Sequence, residues 1–430
     1  MSLSAGSFRT DITPAIGCSL QGSFDDIRST EIHDPLYANA LVLDDGTTEM
    51  ALISADNCEI HTHNVAAITA EIERLCRIPA KNVIIAATHT HTGPPTGGLI
   101  VESVYPDPVY VEHFRRQIVS AVLMAQKRKQ PVRVGVGKGE NRRHVFNRRL
   151  RKPDGHIVMN WIAPEYLSDT VASGPVDPGL VAIRLIDAEG RTTAFVINYA
   201  NHNNAAGGTR ISADISGHMG DLLRKIYGPD LVVIFLLGPC GNTNWLDWRN
   251  PECRTPHHFQ DIATGLTGTV LEITATMEYP AVEQMSITHK LLPIPERPYR
   301  DFDTQVDDTF GSDADLFFGV YKAARAAAKG KPLPIHELDV AVLKLGSDIA
   351  IVTTPVELFC EFGLSIKSAS PVKYTLVSEL TNGALGYVPT RQAFDEGGYE
   401  IRKLPGNSFL AFDAGEQIVA ASLSLLQPGK

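Results

Sequence analysis

No apolar run in this chain is longer than Leu231 to Leu237. That is far short of the roughly 20 residues needed to cross a bilayer as a helix, so no transmembrane segment is expected. The start, Met1-Ser2-Leu3-Ser4-Ala5-Gly6, has neither a basic n-region nor an apolar h-region, and a cytoplasmic protein is the expectation. The six cysteines (Cys18, Cys58, Cys76, Cys240, Cys253 and Cys360) form no close-spaced pair. This excludes a thiolate zinc site and favours reduced thiols over a disulfide framework. Positive charge is also in short supply. Against 49 Asp+Glu there are 39 Lys+Arg, a net charge of -10, which disfavours broad phosphate-backbone binding and removes nucleic acid from the expected partners. No sequence repeat, low-complexity tract or heptad run is visible, which sets repeat architectures and coiled coils aside. Nothing in the sequence sets an oligomeric state.

What is present is an ordinary globular composition, 43% hydrophobic over 430 residues, enough for a large core. Apolar strands alternate with amphipathic helices. Leu36 to Leu43 and Thr48 to Ser54 flank Asp44-Asp45-Gly46, a hairpin signal. A second hairpin joins Val181 to Ile186 with Thr193 to Tyr199 through Glu189-Gly190. Asn64 to Leu75 reads as a helix and Asn82 to Ala87 as a buried strand. Phe114, Ile118, Val122 and Ala125 recur at helical spacing. Ile349 to Val352 reads as a strand ahead of a helix starting near Pro355, and Gly415 to Leu426 as a closing helix. The expected fold class is α/β, with mixed β-sheets flanked by helices and a zinc site at strand ends. One large domain over 1–430 is expected, with a Pro/Asp-rich excursion at about 292–334 that contains a helix, Leu316 to Ala328.

The chemistry-bearing residues sit just past strands. In Val83-Ile84-Ile85-Ala86-Ala87-Thr88-His89-Thr90-His91-Thr92-Gly93-Pro94-Pro95, an extended chain directs His89 and His91 to one face. His202, in Asn198-Tyr199-Ala200-Asn201-His202-Asn203, again follows an apolar strand, and so does Glu357 in Thr354-Pro355-Val356-Glu357-Leu358-Phe359. Together they form a His/His/Glu set whose nitrogen and oxygen donors suit catalytic zinc. His61 and His63, and likewise His257 and His258, read as helix entries with structural roles. Asp56 is a candidate to orient a ligand histidine.

In order along nearly the whole chain, Asp11-Ile12-Thr13-Pro14, His89-Thr90-His91-Thr92-Gly93-Pro94, Asn147-Arg148-Arg149, Ala200-Asn201-His202, Pro355-Val356-Glu357-Leu358-Phe359, Tyr387-Val388-Pro389-Thr390 and Tyr399-Glu400 resemble the catalytic domain of the neutral/alkaline non-lysosomal ceramidase family. The resemblance implies one Zn2+ held by His89, His202, Glu357 and Tyr387, with His91, Arg148 and Tyr399 lining the reaction centre. It further implies hydrolysis of an amide (N-acyl) bond by a metal-activated water, Arg148 and Tyr399 as oxyanion donors and His91 as proton carrier.

The departures are also specific. Gly241-Asn242-Thr243-Asn244-Trp245 stands where the family has G-D-x-S-P, so Asn244 replaces a serine and becomes a candidate to bond substrate. Neither the family's immunoglobulin-like C-terminal domain after Tyr399 nor its secretion signal is expected here. A small-molecule amide is therefore expected in place of membrane ceramide, with the loop Thr92 to Asp107 walling the pocket and the Arg148-Arg149 pair favouring an anionic group. Competing readings are ester or lactone hydrolysis on the same metal, a Cys240 nucleophile in Gly238-Pro239-Cys240-Gly241, and a closed, non-catalytic metal-stabilised binding protein.

Overall fold

The structure is a computed structural model, and it describes residues 3–23, 25–97, 104–255, 258–300, 314–404 and 406–427. Three sheets share one connectivity. In the first, β1 (Ser4–Asp11), β2 (Tyr37–Asp44), β3 (Glu49–Ala55) and β4 (Val83–Ala87) lie in the order β4-β3-β2-β1, with the short strand Gln130–Pro131 beyond β1. The first three strands run antiparallel, while β3 and β4 are parallel and joined through helix α1 (Thr62–Cys76). A second helix, α2 (Pro108–Lys127), follows β4, pairs with α1 and packs on β1 and β2.

The same order recurs twice. The second unit comprises β5 (Arg133–Glu140), β6 (Gly179–Ile186), β7 (Thr192–Tyr199) and β8 (Val232–Leu237). Here β7 and β8 are the parallel pair, joined through α3 (Asp214–Tyr227), and α4 (His258–Thr274) follows. The third comprises β9 (Met285–Pro295), β10 (Ile335–Leu345), β11 (Ile349–Thr353) and β12 (Tyr374–Ser378). Helix α5 (Ala314–Ala328) lies between β9 and β10, α6 (Cys360–Ala369) joins the parallel pair, and α7 (Ala414–Leu426) follows. The threefold repetition is one of connectivity, and no sequence repeat accompanies it because packing constrains apolarity at each position and leaves residue identity free.

The strands read as continuous apolar runs because both faces are covered. Leu41, Leu52 and Ile84 of the first sheet meet Ile183, Val196 and Ile234 of the second and Leu343, Ile351 and Leu376 of the third in one central cluster. The alternate residues Val42, Ile53 and Ile85 pack with the helices. Helix α1 buries Val65, Ile68, Ile72 and Cys76, a stripe at 3- and 4-residue spacing. Helix α2 starts where Asp107 accepts the Val109 N–H and Pro108 occupies the first turn. Both expected hairpins form, their turns fixed by Asp45 and Asp187 carboxylates that accept backbone N–H groups.

In every unit the first two strands are separated by a long excursion, 12–36, 141–178 and 296–334. The last of these is the one expected at 292–334, except that Leu292 to Pro295 belong to β9. Among the described residues, no helix is long and apolar enough to cross a membrane.

Candidate metal centre

The ends of the third and fourth strands of each unit collect at one place. Strand β4 stops at Ala87, and Thr88 N and His89 N donate to Ala55 O and Asn57 O, which ties the turn to the end of β3. His89 is left-handed, with φ 66. The extended alternation expected for His89 and His91 therefore does not exist, and a tight turn brings the two rings together instead. His202 follows β7. Glu357 follows β11, but the helix expected to start near Pro355 begins only at Cys360. The intervening Glu357–Leu358 is extended and pairs in parallel with Tyr387–Val388, Glu357 directly beside Tyr387.

The three imidazoles share one tautomer. Nδ1 lies 2.8 Å from Cys58 O in His89, 3.0 Å from Gly22 O in His91 and 3.1 Å from Cys240 O in His202. A carbonyl only accepts, so each Nδ1 carries the proton and each Nε2 presents a lone pair. Those lone pairs converge. His89 Nε2 is 3.2 Å from His91 Nε2, and Glu357 Oε2 is 3.6 Å from His89 Nε2 and 3.7 Å from His202 Nε2. His89, His202 and Glu357 are all buried, and Glu357 Oε2 has no hydrogen-bond partner among the described residues.

Burial lowers the His89 pKa to about 4 and takes His91 and His202 well below the ordinary imidazole value, so the rings are neutral. Burial also raises Glu357 to about 8, with Arg148 and Tyr387 acting the other way. A buried Glu357 oxygen without a hydrogen-bond partner, 3.6 and 3.7 Å from two neutral imidazole nitrogens, is an arrangement that a divalent cation satisfies, and nitrogen with carboxylate oxygen is a zinc donor set. Tyr387 adds a hydroxyl that interacts with both Glu357 and Arg148. At Gly22, φ is +111 and a Cβ would lie 2.3 Å from the His91 ring, so the backbone that fixes His91 requires glycine.

Arg148 is not on a solvated basic face. It is buried, with Nε donating to Glu400 at 2.8 Å, Nη2 to Gly241 O at 2.7 Å and Nη1 3.0 Å from His202 Nε2. Arg149 donates from Nη1 to the other Glu400 oxygen at 2.8 Å. Both guanidinium groups thus face a fully buried carboxylate, which removes the basis for an anion-selective Arg148-Arg149 pair. Arg148 is placed by a two-residue ladder, Phe146–Asn147 against Thr243–Asn244. Tyr399 packs edge-on to Tyr387 and Trp161.

Other expected residues fall elsewhere. Asn244 and Asn160 pair both ends of their amides, at 2.7 and 2.9 Å, and Asn244 is not among the residues lining the cavity. Cys240 is fully buried behind His202. Its Sγ donates to Glu379 at 3.0 Å, and burial pushes the thiol pKa up, which argues against a nucleophile. Asp56 accepts from Tyr37 N and Thr88 Oγ1 and touches no histidine; Cys58 O orients His89 instead. His63 lies in the first turn of α1, His258 opens α4, and His257 lies outside the described residues.

A cavity of about 350 Å³ opens over the cluster, lined by His89, His91, Arg148, Glu357, Tyr387 and Tyr399. Its remaining wall includes Gln21, Cys58, Glu59, His61, Trp161 and Asn407, none of which was singled out from sequence for this site. His61, read as a helix entry, is both the N-cap residue of α1 and part of this wall. The available signal was position, since Asp56 to His61 follow β3 as His202 follows β7 and Glu357 follows β11. Of the expected wall loop Thr92 to Asp107, residues 98–103 lie outside the described ones.

No protein-family model and no curated relative matches the chain. Among solved structures it is similar to neutral ceramidase from Pseudomonas aeruginosa, with a TM-score of 0.75 at 18% identity over 99% of this chain and 74% of that one. It is similar also to a ceramidase complexed with C2, with a TM-score of 0.74 at 17% identity over 99% of this chain and 75% of that one. At such identity the likeness is one of fold.

Proposed function

We propose that the chain is a zinc-dependent hydrolase that cleaves the amide bond of a small N-acyl compound, with 1–430 acting as one catalytic domain. The observation that carries this reading is the clustering of His89, His202 and an orphaned Glu357 oxygen at the base of an open cavity that His89, His91 and Glu357 line. The fold shared with neutral ceramidases supports it. His89, His202, Glu357 and Tyr387 would hold the ion. Zinc bound there supplies a Lewis acid and brings the pKa of a bound water towards neutrality.

The chain's own residues then divide the remaining work. Arg148, fixed by Glu400 and Gly241 O, keeps its positive charge beside the cluster to stabilise an oxyanion, with the Tyr399 hydroxyl as a second donor. His91 Nε2, unprotonated, accepts a proton from water and returns it to the leaving amine. The open cavity distinguishes this reading from a closed binding protein. Its apolar lining among the described residues is Trp161, Ala384 and the tyrosines, which suits a small acyl compound.

Metal analysis combined with a substrate panel tests the reading. Wild-type protein is expected to hold about one zinc per chain and to cleave short N-acyl amines in preference to detergent-dispersed ceramide, esters or lactones. His89→Ala and His202→Ala are expected to lose both zinc and activity, whereas Cys240→Ser keeps most of each. Full zinc in folded His89→Ala and His202→Ala proteins, or amide cleavage that survives a chelator, overturns it.

A further inference from the structure

Outside the metal cluster, the cavity wall has acceptors that no donor satisfies. Glu59 Oε1 accepts from Gln21 Nε2 at 2.6 Å and lies 3.2 Å from His61 Nε2. Glu59 is partly exposed, and among the described residues these contacts engage Oε1, leaving Oε2 to face solvent or a ligand. Because the Gln21 amide nitrogen is committed to Glu59, its carbonyl oxygen must point the other way. That oxygen has no partner among the described residues, although Gln21 is only 3% exposed. The Asn407 carbonyl oxygen is in the same condition on a residue 1% exposed.

Buried acceptors are normally paired, so two orphans on residues that line the same cavity as Glu59 mark a place where a ligand supplies donors. The device is built into the fold. The loop at Gly97 lies so close to His61 that a Cβ there would sit 2.0 Å from the ring, so the loop backs His61 against Glu59. Gln21, Glu59 and Asn407 line the same cavity as His89, His91 and Glu357, so one bound molecule can reach both the wall and the cluster.

We infer that this wall binds a positively charged nitrogen on the amine half of the substrate, making the substrate class mono-N-acylated diamines and related amino-bearing amides. The ammonium donates to Glu59 Oε2 and to the Gln21 and Asn407 carbonyl oxygens, while the acyl carbonyl faces the cluster. The inference rests on the amide-hydrolase reading above, but its binding component can be measured separately.

The probes are the methanesulfonyl derivatives of putrescine, aminobutanol and butylamine, which carry no scissile carbonyl and differ only in the distal group. Binding to the intact protein is followed by calorimetry and by quenching of tryptophan fluorescence, since Trp161 lines the cavity. The cationic probe is expected to bind about ten-fold or more tightly than the other two, the range of a charge-assisted hydrogen bond. Glu59→Gln is expected to abolish that preference and Gln21→Leu to reduce it, each with unchanged circular dichroism and zinc content. Equal binding of the three probes, tightest binding of the hydroxyl probe, or a preference that survives Glu59→Gln overturns the inference. A Glu59-dependent preference in a protein that cleaves no amide supports the cation site and overturns the hydrolase reading alone.

Discussion

Glu400 is fully buried and accepts from two arginines at once, Arg148 on one oxygen and Arg149 on the other. Removing one partner of such a group leaves uncompensated charge, at a cost of about 3–5 kcal/mol. Glu400→Gln is therefore expected to lower Tm markedly. It is also expected to lower kcat by about 10- to 100-fold, the range for groups that orient an active-site residue from behind, with zinc content unchanged. Thermal denaturation, metal analysis and steady-state kinetics on one sample check all three.

The same residues show what a sequence reveals. His89, His202 and Glu357 are legible because each follows an apolar strand, and strand ends collect sites. Arg148 is not legible by charge, since it sits in a basic run and its partners Glu400 and Gly241 O, both far along the chain, turn it inward. Gln21, Glu59 and Asn407 are invisible because their role depends on three loops meeting. Asp56 misleads for a related reason, since its position after β3 is right but Thr88 takes its carboxylate.

At the scale of elements, the two-residue pairing of Glu357–Leu358 with Tyr387–Val388 does what a helix at Pro355 could not. It holds two expected ligands side by side in parallel register. Leu358 and Ile72 are both fully buried, but Leu358 belongs to that ladder and Ile72 to the inner face of α1. Truncating either to Ala is expected to cost about 2–5 kcal/mol. Only Leu358→Ala is expected to weaken zinc retention, as measured by competition with a graded series of chelators, because only it loosens the strand that carries Glu357. Equal zinc affinity in the two variants would mean that the ladder does not position the ligand. The long strands and helices were legible from periodicity. The ladder was not, because a two-residue strand has no period to read.

At the scale of the whole molecule, three units of the same connectivity pack around one apolar centre, and each contributes to the site: His89 from the first, His202 from the second and Glu357 from the third. A metal bound across them ties the units together. Stability is expected to rise with the logarithm of free zinc, by about 2.7 kcal/mol at 100 times Kd. A chelator is expected to lower Tm without altering circular dichroism at room temperature, and a scanning calorimeter with buffered zinc checks both.

During synthesis, the ligand set stays incomplete until the third unit has left the ribosome and docked on the other two. Metal uptake at such a site would follow the assembly of all three units. A chain in which any one unit is missing or misassembled would lack a ligand, so occupancy of such a site would report that all three units have come together.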